Sequence, residues 1–206
     1  MKKIMAFVFS ACCPALLWGQ AAAYKPTPKA KRLEDSAINI YTKSHGAPEN
    51  NEKVRKLLDA ALQQDPKYYE GWANKLSFQC RLDQFDNGLI TAKKMTLLFP
   101  EQADAFFNYG VLQYITGHEK DANISFGQVL TIYNNILEKN KNNPSAYKSI
   151  LTQKGIILLL LDRTNEGKRI LGKLYREEKD EYVKSYIAYY FNSTKDDIIK
   201  DRVPGK

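Results

Sequence analysis

The residues of this 206-residue chain that could do chemistry are few and scattered. Cys80 stands near Leu76 and Leu82, with no base at a spacing that would take its proton, so it reads as a small buried apolar residue rather than a nucleophile. His45 and His118 fall in expected inter-helix loops, and neither has a second ligand at metal spacing. Gly167-Lys168-Arg169-Ile170-Leu171-Gly172-Lys173-Leu174 has the glycine and lysine spacing of a phosphate-binding loop. Leu174 occupies the place of the magnesium-binding hydroxyl, however, and Ile170, Leu171 and Leu174 form an apolar helical face across what would have to be a loop. The paired carboxylates Glu177-Glu178 and Asp196-Asp197 read as solvent-facing helix turns. The sequence therefore predicts no catalytic residue, no metal ligand and no cofactor, and a protein that is not an enzyme.

Elements come next, and here one spacing dominates. Trp72, Leu76, Leu82, Phe85, Gly88, Ala92, Met95 and Pro100 recur, shifted by 34 residues, as Phe106, Gly110, Thr116, Glu119, Ala122, Phe126, Val129 and Asn134. A period of this length marks stacked supersecondary units. Two helices that cross in close contact need a residue with almost no side chain at the crossing, and the repeat puts Gly88 and Ala122 there. One unit cannot bury its own apolar face, so the units must stack.

Weaker copies flank these two. Val54, Leu58, Ala61, Leu62 and Pro66 match Gly88 to Pro100, and Leu33, Ala37, Ile40 and Tyr41 form an apolar face in an expected helix over Lys31 to Ser44. Downstream, Leu151, Gly155, Leu158, Gly167, Leu171 and Leu174 repeat the spacing after an eleven-residue insertion. The insertion lengthens the second helix of the Phe106 unit, whose apolar residues keep a helical spacing as far as Asn140, to about 31 Å. Asn143-Pro144 and Asp65-Pro66 both read as helix starts. Tyr182, Val183, Tyr186, Ile187 and Tyr190 make one further helix, and Thr194 with Asp197 resembles the capping box of a short last one. No stretch alternates as a strand would, so the class is all-α, with about nine helices.

The pattern of an aromatic, a small or apolar residue four on, a small residue sixteen after the aromatic and a proline at the close resembles the tetratricopeptide repeat. The resemblance implies a right-handed α-solenoid of about four helix pairs with a C-terminal capping helix over its open end. It also implies a concave groove, lined by first helices, that holds a protein or peptide. Carried onto the two best-matched units, the groove positions are Asn74, Ser77 and Arg81, then Phe107, Asn108, Val111 and Tyr114. Asn74 and Asn108 fall where many relatives bond a ligand backbone. Phe107, Val111 and Tyr114 predict a groove that takes apolar or aromatic side chains.

Lys2 and Lys3, an apolar stretch to Trp18 and small residues from Gly19 to Ala23 read as a bacterial-type signal peptide over residues 1–23. A lipoprotein anchored through Cys12 is the minority reading. Residues 24–30 then read as a mobile leader, 31–195 as the repeat domain and 196–206 as a short end helix and tail. Removing 1–23 leaves 29 basic against 23 acidic residues, a charge of +6, with the basic residues spread over several helices. That distribution argues against nucleic acid as a partner and allows at most a weak association with an envelope surface. The expectation is an exported, periplasmic or envelope-associated, non-catalytic scaffold for a protein or peptide. The alternative is a module that binds glycan or peptidoglycan fragments through some of its thirteen tyrosines.

Overall fold

The structure, a computed structural model, describes residues 24–202. The expected signal peptide, the Cys12 anchor and the last four residues lie outside the described residues. Ten α-helices account for most of the described chain, and no strand occurs among the described residues. They are α1 Pro28–Lys43, α2 Asn51–Gln64, α3 Tyr69–Arg81, α4 Phe85–Leu98, α5 Ala103–Ile115, α6 Glu119–Lys139, α7 Pro144–Leu160, α8 Thr164–Glu177, α9 Glu181–Asn192 and α10 Lys195–Asp201, with a 3₁₀ turn at Pro48–Asn50 between α1 and α2.

From α1 to α9 each helix packs on its neighbours in the chain, as short connections dictate. α10 breaks the series by packing on α7. The core is accordingly divided along the chain. Ala37, Val54, Leu58 and Phe78 form one buried group, Trp72, Leu76, Met95 and Leu112 belong to a second, and Phe107, Phe126, Ile157 and Leu171 to a third and larger one.

The crossings follow the small residues. At Gly110 an added Cβ would stand 2.7 Å from the Phe126 ring, so α5 and α6 meet there in direct contact. α7 and α8 come closest at Gly155 and Gly167, where a Cβ on Gly167 would lie 2.8 Å from the Gly155 carbonyl oxygen. Gly88 has more room: its added Cβ would find Leu112 and Cys80 at ordinary contact distance, 3.5 and 3.6 Å.

Several helix ends match the sequence. The Asn143 side chain accepts the Ala146 N–H with Pro144 in the first turn, and Thr194 and Asp197 form a complete capping box. α6 runs for 21 residues, so the insertion does extend that helix. Asp65-Pro66 does not start a helix: Asp65 closes α2, and α3 begins at Tyr69. The reason is that the buried Asp65 carboxylate is engaged elsewhere, by the Tyr24 hydroxyl and by the Thr27 N–H at 2.8 Å. The same bonds correct the expectation of a mobile leader over 24–30, since Tyr24 and Thr27 are tied to Asp65 and α1 already begins at Pro28, with the Thr27 hydroxyl as its cap. The loop-like glycine and lysine segment 167–174 lies wholly inside α8.

Candidate functional site

α5 positions most of the candidate residues. Its backbone places Phe107, Val111 and Tyr114 on one stripe, four and then three residues apart, with Asp104 and Asn108 on the adjoining one. The helix forms on Ala103 to Ile115, with Asp104 in its first turn.

α10, packed on α7, meets this stripe at its two ends, Tyr114 and Phe107. Lys195, at the start of α10, lies over the Tyr114 ring at 5.3 Å and donates to Asp162 Oδ2 at 2.9 Å, Asn123 Oδ1 at 3.2 Å and Glu119 Oε1 at 3.3 Å. The Tyr114 hydroxyl donates to Asp196 Oδ1 at 2.7 Å, and this bond raises the phenol to about 12. Ile198 and Ile199 are buried in the same apolar group as Phe107 and Val111. At the far end the Arg202 guanidinium stacks between Phe107 and Tyr190, 5.6 and 5.5 Å from their rings, and donates to the Tyr190 hydroxyl at 2.7 Å. Asp104 feels Arg202 as a stabilising charge, yet burial outweighs it and pushes the Asp104 carboxyl up to about 7.

Four of the expected groove residues are therefore not an open lining. Phe107, Asn108 and Val111 are buried, 5%, 3% and 0% exposed, and Ser77 is buried on α3. Phe107 and Val111 belong to the large apolar group that also takes in Ile198 and Ile199, and the Phe107 ring has Phe126 at 6.1 Å and Arg202 over it. Tyr114, half-buried, meets α10 through its hydroxyl and its ring. On α3, Arg81 is half-exposed, and the Asn74 amide donates to Glu34 Oε1 at 2.5 Å. Glu34 is itself buried and also accepts the Tyr68 hydroxyl and Lys31 Nζ. The two repeat-equivalent asparagines thus differ. Asn74 is engaged by α1, whereas Asn108 Oδ1 is buried with no hydrogen-bond partner among the described residues.

No family model matches this sequence, and no curated protein is significantly similar to it. The remaining chemistry-bearing residues stay apart. Cys80 is buried, and burial raises its thiol to about 12, far from a reactive thiolate. His45 adopts a positive φ of 50° in the turn after α1. His118 precedes α6, with its Nδ1 3.1 Å from the Thr116 hydroxyl. Among the described residues no group of three or more His, Cys, Asp or Glu could hold a metal ion, and no helix is long and apolar enough to cross a membrane.

Sequence reasoning missed Lys195, Ile198, Ile199 and Arg202 as partners of α5. One signal was present: a seven-residue helix carrying two adjacent isoleucines cannot stand alone and must bury them against something.

Proposed function

We propose that this chain is a non-catalytic, tetratricopeptide-like repeat scaffold of the bacterial cell envelope, exported from the cytoplasm, that holds a protein or peptide on the face built by its first helices. In this reading the pairs α1–α2, α3–α4, α5–α6 and α7–α8 are four stacked units of a solenoid, and α5 and α7 line the binding face. The observation that carries the reading is that the α5 face already accepts a peptide segment, α10, through an apolar centre and polar contacts at both ends. The 34-residue period and the small residues at the crossings support the unit assignment. The glycan alternative has less support, because the Tyr114 ring and hydroxyl are both taken by α10.

Photo-crosslinking in the cells of origin tests the reading. A benzoylphenylalanine is placed at Arg81 or Tyr114 on first helices, and at Ile90 or Ile124, which are exposed on second helices. Adducts to a discrete protein from Arg81 and Tyr114, and not from Ile90 and Ile124, are expected. Adducts confined to Ile90 and Ile124 would move the binding surface to the opposite helices and overturn the assignment.

A further inference from the structure

We infer that α10 is a resident ligand of the α5 face, and that the partner the face takes in trans is a short amphipathic helix with the layout of α10. This rests on the peptide-binding reading above and specifies its ligand. The layout is a basic residue, two adjacent branched apolar residues three and four positions on, and an arginine three positions after the second of them, as in Lys195, Ile198, Ile199 and Arg202.

Three observations carry it. The first is complementarity. The site offers carboxylates to the leading lysine, an apolar centre to the isoleucine pair, and the Phe107 and Tyr190 rings to the arginine. A ligand basic at both ends fits it, and an acidic one does not.

The second is the way α10 is held. It is seven residues long, too short to persist as a helix on its own, and it hangs from α9 through the extended residues Ser193 and Thr194. It packs on α7 and is bonded to Tyr190 of α9, and its lysine, 11% exposed, pairs with Glu119 and Asp162 carboxylates that are 61% and 66% exposed, where ion pairs add little. Terminal segments anchored in this way open locally at far lower cost than the core. Departure of α10 with Arg202 would free the Tyr114 and Phe107 rings, and a helix of matching layout would engage them again.

The third is Asn108. Its carbonyl oxygen is buried one turn along α5 from Asp104 and has no hydrogen-bond partner among the described residues, a state that costs free energy until a donor reaches it. α10 provides no donor to it, so the face is not fully satisfied by its resident segment. A ligand presenting one amide or hydroxyl donor at that point would gain a bond that α10 does not make.

The test uses a fluorescein-labelled, N-acetylated peptide of residues 193–202 and two proteins: chain 24–206, and the same chain with Ile198→Asp and Ile199→Asp to undock α10. Anisotropy titration is expected to give at least tenfold tighter binding to the undocked chain than to the parent. A peptide carrying the same two aspartates should not bind either protein. Equal binding to both proteins, or no binding to an undocked chain whose circular dichroism is intact, overturns the inference. Should the undocked chain lose its helicity, hydrogen exchange on the unmodified chain decides. Amides of 198–201 exchanging at least 100-fold faster than those of 155–160 in α7 support a detachable segment, and exchange at the α7 rate overturns it. Crosslinked partners at Arg81 and Tyr114 without peptide binding would sink the α10-like ligand alone. Peptide binding without any crosslinked partner would leave the ligand layout standing and remove the scaffold reading.

Discussion

Replacing Gly167 and Gly88 by alanine separates two opposing effects at equivalent repeat positions. Each substitution raises helix propensity and lowers unfolded-state entropy, worth roughly 0.5–1 kcal/mol in favour of the fold. At Gly88 nothing opposes this gain, since the new methyl meets Leu112 and Cys80 at 3.5 and 3.6 Å. Ala122 occupies the equivalent place one repeat later with full burial, so the position accepts a methyl. At Gly167 the methyl would stand 2.8 Å from the Gly155 carbonyl oxygen and 2.8 Å from a Leu159 methyl. Leu159 could rotate, but a backbone oxygen in the middle of α7 moves only if the helices separate. Overpacking of that kind costs about 1–3 kcal/mol, so the net effect is a loss of about 1–2 kcal/mol. At about 2–4 °C per kcal/mol for a domain of this size, Gly88→Ala should raise Tm by roughly 1–4 °C and Gly167→Ala should lower it by roughly 2–8 °C. Thermal unfolding followed at 222 nm on chain 24–206 reads both. A Gly167→Ala protein as stable as Gly88→Ala would show that the α7–α8 crossing is not the close backbone contact inferred for it, and the argument for small residues at the crossings would fall with it.

Three further outcomes follow from single contacts. Asp104, pushed up to about 7 by burial, takes a proton on folding that the unfolded chain does not hold between about pH 4 and 7, so its contribution to stability falls as pH rises through that window, by at most about 4 kcal/mol. Asp104→Asn should therefore be more stable than the parent at pH 8 and close to it at pH 4, compared by urea midpoints; an unchanged difference between the two pH values would contradict the raised pKa. Asp65→Ala removes the acceptor of the Tyr24 hydroxyl and Thr27 N–H, and should cost about 1–3 kcal/mol and speed tryptic cleavage at Lys29 and Lys31. Cys80 in chain 24–206 should react with a disulfide reagent at pH 8 only on unfolding, and rapid stoichiometric reaction of the native protein would refute its burial.

Local features were legible in the sequence because each is written in a few neighbouring residues. The capping box at Thr194 and Asp197, the Asn143-Pro144 start and the extended α6 needed only local chemistry, and they stand as expected. Asp65-Pro66 misled for a nonlocal reason: the carboxylate that should have capped α3 is claimed by Tyr24 and Thr27, about forty positions earlier. The burial of the groove candidates was hidden in the same way. Phe107 and Val111 have the residue types of an open apolar surface, and nothing in their spacing reveals that a segment some ninety positions on joins their buried group.

The fate of the seven groove candidates follows from how helices in a stacked array are covered. A first helix in such an array buries one side against its own partner and two against its neighbours, which leaves a fourth side to water or to a ligand. On α3 that polar inventory is met from within by Glu34 of α1, which takes Asn74 and Tyr68 together. On α5 the corresponding asparagine receives nothing, and the buried group of the apolar residues beside it is joined by a segment carried on a two-residue tether. A sixteen-residue helix thus engages α3, whereas a seven-residue helix meets α5. Since a longer helix is both more stable in itself and more widely packed, α1 should remain in place under conditions in which α10 detaches. If the α5 face takes a ligand as proposed, this asymmetry makes it, rather than α3, the place of exchange.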